Sequence, residues 1–173
     1  GFKLRSGLKL YYPFNETDGS VVQDYSSSLR HGQVFDAELN VEGKFGSAID
    51  FTAIDANFSR VSLELSKLEI NDGRWSISSW FEAPITSEGV NFKHALTYGE
   101  PGYANFRGDF GGADQRLGLF NGTSDDYISF NASTLASGWH HIVVSSSVGQ
   151  TKFFMDGNQV GSISDNIILE IET

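Results

Sequence analysis

At 173 residues, with 39% apolar and 13% aromatic side chains, the chain carries enough hydrophobic material for one domain with its own core. Twenty-two acidic against twelve basic residues leave a net charge of −10, which opposes DNA, RNA and anionic membrane surfaces as partners. Cysteine is absent, so disulfides, Cys-type zinc sites and thiol nucleophiles are excluded. No apolar run approaches the ~20 residues of a membrane span, so no membrane insertion is expected.

Hydrophobic alternation with a period of two predicts strands almost everywhere. The first runs over Leu8–Phe14 and stops at the turn-forming stretch Asn15-Glu16-Thr17-Asp18-Gly19. Strands are then expected at 48–51, 59–65, 75–82, 94–98, 103–107, 116–120 and 126–130, and again at 139–147, 151–155, 159–163 and 167–171. The stretch Ser62 to Ile70 also fits a strand followed by a short helix or turn. Asp156-Gly157 between Lys152–Met155 and Gln159–Gly161 is the sharpest turn signal, a tight hairpin. Strands spaced about 8–12 residues apart, without repeats or linkers, predict a single all-β domain over residues 1–173.

Four blocks in order carry a family resemblance. They are Gly7-Leu8-Lys9-Leu10-Tyr11-Tyr12-Pro13-Phe14-Asn15-Glu16 with Asp24-Tyr25-Ser26 and His31-Gly32, then Gly43-Lys44-Phe45-Gly46-Ser47-Ala48-Ile49-Asp50-Phe51. Trp75-Ser76-Ile77-Ser78-Ser79-Trp80-Phe81 follows, and then Gly138-Trp139-His140-His141-Ile142-Val143-Val144 with Phe153-Phe154-Met155-Asp156-Gly157. The sequence resembles a laminin G-like domain of the concanavalin A-like lectin/glucanase superfamily, in its bacterial surface or secreted type. That resemblance implies a jelly-roll β-sandwich of two antiparallel sheets. It also implies that the last strands are missing: the family closes with a further segment beside its first strand, whereas this sequence stops at Glu170-Ile171-Glu172-Thr173. A neighbouring chain or domain could complete the sheet by strand addition.

The resemblance further implies calcium as a cofactor, held by carboxylates and carbonyls in acidic loops. Asn15, Asp18 and Asp24 fall in the matching loops and are the candidate ligands. The competing reading gives Asp18-Gly19 to a turn and Asp24 to the capping of backbone amides. Zinc is not expected, because His140 and His141 are adjacent on a strand and point to opposite faces.

Catalysis is not expected either. Glycan-cleaving relatives set carboxylates at alternating positions on one strand face, and Glu82 is the only acid on the 75–82 strand. No nucleophile elbow or nucleotide-binding fingerprint occurs.

Binding is the function that remains. On the 75–82 strand, Trp75, Ile77, Ser79 and Phe81 form one face, suited to the core. Ser76, Ser78, Trp80 and Glu82 form the other, where a flat ring among short polar groups suits the stacking and hydrogen bonding of a sugar. A packing role for Trp80 competes with that reading. Tyr103, Asn105 and Arg107 offer a second polar and aromatic face, to which Tyr98 could add.

Four Asn-x-Ser/Thr sequons, starting at Asn15, Asn57, Asn121 and Asn131, exceed the roughly two expected by chance and suit an extracellular chain. The expectation is therefore an extracellular, non-catalytic module for carbohydrate or a cell-surface protein, within a larger adhesin or secreted protein. A structural or assembly module, pilus-like, is the alternative, and a glycoside hydrolase relative the more distant one.

Overall fold

The computed structural model describes residues 7–51, 59–63, 68–70, 73–84, 94–95, 105–108, 116–120, 125–164 and 169–171. The chain is all-β, built from several antiparallel sheets, and divides into two compact units, residues 1–67 with 172–173 and residues 68–171.

The first unit holds β1 (Val21–Val22), β2 (Gly32–Phe35), β3 (Glu38–Glu42), β4 (Ser47–Asp50) and β5 (Arg60–Ser62). β1, β2 and β5 form one antiparallel sheet in that order, and β3 and β4 form a hairpin. Among its described residues, Val22, Val34 and Leu63 are the buried apolar side chains. Gly32 is required by close approach: a Cβ there would stand 2.4 Å from Val61 Cγ1 and 2.9 Å from Val22 Cγ2.

The strand expected over Leu8–Phe14 does not form a ladder. The Tyr11 N–H is taken by a carboxylate, Asp24 Oδ1, instead of a neighbouring carbonyl, and Phe14 turns the chain with a φ of 56°. One ladder-like contact survives, Tyr25 N–H to Tyr11 C=O at 3.0 Å.

The second unit contains β6 (Leu68–Ile70), β7 (Trp75–Ala83), β8 (His94–Ala95), β9 (Asn105–Gly108), β10 (Arg116–Phe120) and β11 (Asp125–Asn131). A short 3-10 turn over Ala132–Thr134 precedes β12 (Gly138–Ser147), β13 (Gln150–Met155), β14 (Asn158–Ile163) and β15 (Leu169–Ile171). One four-stranded sheet runs β14-β13-β12-β7, another β11-β10-β9-β8, and β15 pairs with β6. The region read as strand then helix or turn therefore yields β5 and β6 among the described residues.

Alternation is clear in β7 and β13, where every second side chain turns inward. Trp75, Ile142, Val144, Phe153 and Met155 from the first sheet share one core with Leu117, Leu119, Ile128 and Ala132 of the β10–β11 side. Area removed from water by such side chains is worth about 1.5–3 kcal/mol for each large one, which is the main stabilising contribution to this unit. Gly161 lets β14 approach β11: a Cβ there would lie 2.8 Å from Ile128 Cβ. Asp156 and Gly157 take φ values of 49° and 81°, the two left-handed residues of a type I′ hairpin, as the Asp-Gly pair predicts.

Candidate functional site

Register decides which outward side chains meet. In the β7–β12 ladder Trp80 lies opposite His141, Ser78 opposite Val143, Ser76 opposite Ser145 and Glu82 opposite Trp139. Directly opposed residues share a sheet face, so these eight line the face turned away from the core. Ser76, Ser78, Trp80 and Glu82 are all exposed, Trp80 by 39%. The two faces read from the sequence of β7 are thus the two faces found.

His141 is the residue that sequence reasoning missed. Its ring stacks on the Trp80 indole with centroids 4.9 Å apart and planes at 29°, and its Nε2 lies 2.8 Å from Ser78 Oγ. An offset stack of this kind fixes the orientation of an indole that a lone exposed tryptophan would sample freely. Ser76 and Ser145 hydroxyls pair at 2.9 Å one step along the same face. The only signal in the sequence was the pairing of two distant strands in one register.

A serine and a histidine 2.8 Å apart are also two of the three members of a hydrolytic triad. Among the described residues no carboxylate hydrogen-bonds His141 Nδ1, so the orienting third member is not supplied there.

The other candidates fall elsewhere. Asn105 and Arg107 lie on β9, opposite Phe120 and Gly118, in the β11-β10-β9-β8 sheet, so they do not extend the Trp80 sheet. Tyr98 and Tyr103 lie outside the described residues.

Of the metal candidates, Asp24 is only 2% exposed and is surrounded by donors. Its Oδ1 accepts from Tyr11 N (2.9 Å) and Ser26 N (2.8 Å), its Oδ2 from Ser26 Oγ (2.7 Å) and Arg30 N (2.8 Å). An ionised carboxylate offers about four lone-pair directions, and here each meets a protein hydrogen. Burial alone would raise the acid's pKa, but the hydrogen bonds from Ser26, Tyr11 and Arg30 outweigh it and hold the carboxyl below its ordinary value. This is the amide-capping geometry. Asn15 Oδ1 accepts from Ser47 N at 3.1 Å, tying its loop to the β3–β4 hairpin, while Asp18 sits exposed on a bend. Among the described residues no three His, Asp or Glu side chains converge as a metal site.

Behind the site, the β13–β14 turn is clasped to β12. Asp156 Oδ1 accepts the His141 N–H at 2.9 Å, and Oδ2 lies 2.7 Å from His140 Nδ1. His140 Nε2 lies 2.9 Å from the Ala136 carbonyl. A carboxylate and a carbonyl both only accept, so this pair of partners favours the doubly protonated imidazolium form of His140. The Asp156 hydrogen bond, then the Ala136 carbonyl, raise the His140 pKa above the ordinary 6.5. The His141 amide, then His140, lower that of Asp156 below 3.8.

The pH dependence follows by linkage. The histidine's contribution is complete below pH 6.5 and is lost as pH rises through its raised folded value. The aspartate's is complete above 3.8 and is lost as pH falls through its lowered one. The clasp is therefore expected to be strongest between those limits. Thermal unfolding of the wild type and of His140→Asn across pH checks this. The wild type should lose melting temperature on the alkaline side, and the variant should lose that limb; parallel profiles would refute the assignment.

Scans against protein-family models, curated proteins and solved structures each return no match for this chain.

Proposed function

We propose that this chain is an extracellular, non-catalytic binding module of jelly-roll, laminin G-like type that recognises carbohydrate through the outer face of β7 and β12. One observation carries the reading: an exposed tryptophan, braced by His141, stands in a row of exposed hydroxyls ending in a carboxylate. An indole face takes up the C–H face of a sugar ring, and short polar side chains on a rigid sheet meet its hydroxyls. A strand scaffold holds such groups more firmly than a loop does.

A glycan array probed with the wild type and with Trp80→Ala tests the reading. Selective binding to one or more glycans is expected. It should weaken in Trp80→Ala by about tenfold, the effect of losing one stacking contact. A parallel array in EDTA should give the same pattern, since the Asp24 carboxylate is already filled by four protein donors. Wild-type protein that binds no glycan, or a variant that binds as well as the wild type, would remove the proposal.

A further inference from the structure

We infer that the ligand of this face is an extended, uncharged polysaccharide segment lying along β7; the inference rests on the carbohydrate reading above and narrows it. Ser76, Ser78, Trp80 and Glu82 are successive outward positions of one unbroken strand, all exposed, with the indole flanked on both sides by polar groups. Six residues at strand rise place Ser76 about 20 Å from Glu82, the length of several sugar rings laid end to end and far beyond a monosaccharide. The neighbouring strand adds a hydroxyl or an aromatic ring at three of the four steps, Ser145 beside Ser76, His141 beside Trp80 and Trp139 beside Glu82, with apolar Val143 beside Ser78. A ligand of one ring uses the indole and leaves the hydroxyl pair Ser76–Ser145 unused; a chain reaches both.

Charge selects among chains. Glu82 is exposed at one end of the row, and the protein carries a net charge of −10. Lys152 lies opposite Ser145 at the other end. An acidic polysaccharide would meet the Glu82 carboxylate and a repulsive field along its length, so uncharged sugars fit the row better.

The test is a titration series with neutral gluco-oligosaccharides from mono- to hexasaccharide, and with polygalacturonate as the acidic probe. Wild-type affinity should climb with chain length and level off once the row is filled, and polygalacturonate should bind more weakly than the neutral hexasaccharide. Trp80→Ala should weaken every oligosaccharide by about tenfold. Ser76→Ala should weaken only the longer ones, by about threefold, the loss of one hydrogen bond. Affinity independent of length, an equal effect of Ser76→Ala on short and long sugars, or a preference for polygalacturonate would overturn the inference while leaving carbohydrate binding intact. Absence of binding to every sugar, on the array as well, would overturn both.

Discussion

Asp24→Asn should destabilise the first unit by about 3–5 kcal/mol, with no change in bulk or shape to account for it. The carboxylate is 2% exposed and accepts four hydrogen bonds that close the loop around Tyr11, Ser26 and Arg30. An amide presents one acceptor and one donor group in the same space. With its nitrogen in the Oδ1 place the Tyr11 and Ser26 N–H groups both face an N–H₂; in the Oδ2 place the Arg30 N–H does, while Ser26 Oγ turns to donate to the Lys9 carbonyl. Each buried unsatisfied donor costs about 1–3 kcal/mol, and the remaining bonds lose their charge assistance. Amide exchange at Tyr11, Ser26 and Arg30 should accelerate, because their hydrogens lose their acceptor. The wild-type contribution is complete above the ordinary carboxyl value of 3.8 and is lost as pH falls through the lowered folded value. Urea unfolding followed by circular dichroism at neutral and acidic pH should thus show the two proteins converging in acid. A loss below about 1 kcal/mol at neutral pH would show that the four-donor geometry does not hold the loop.

Phe153→Ala should cost about 3–5 kcal/mol, whereas Phe154→Ala should cost about 1 kcal/mol or less. Phe153 has no exposed surface and packs in the core with Trp75, Leu117 and Ile142; Phe154, the next residue on β13, is half-buried on the opposite face. The pair tests the register itself, since a slip of one residue would exchange their surroundings. All three tryptophans lie in this second unit, so tryptophan fluorescence reports its urea unfolding directly. Equal losses at the two positions would contradict the assignment of the outward face, and with it the placement of Trp80.

The parts of the fold legible from the sequence are those that a local pattern encodes. β7 alternates residue by residue because one face is core and the other is not. β10 falls on the expected residues, and the Asp156-Gly157 turn has the left-handed pair that its chemistry requires. β1 and β2 escaped notice because they are only two and four residues long. β3 does alternate, with Leu39 and Val41 half-buried between exposed polar residues, but its ladder shifts register at Asn40, where φ is 64°, and it went unread. Leu8–Phe14 read as a strand from its apolar run, yet what pairs with Tyr11 N–H is a side chain thirteen residues away. The same non-locality hid the site. Trp80, Ser78 and Glu82 could be placed on one face from sequence, but His141 joins them only through the β7–β12 register. Asn105 and Arg107 looked like neighbours by composition and belong to another sheet.

Chemical-shift mapping with a neutral oligosaccharide, on protein labelled with nitrogen-15, tests the central claim most directly. The predicted result is a contiguous set of perturbed signals: the Trp80 indole N–H and the amides of Ser76, Ser78 and His141, which share the outer face of β7 and β12. Perturbations confined to β9 around Asn105 and Arg107, or scattered over the first unit with the Trp80 indole unmoved, would contradict it.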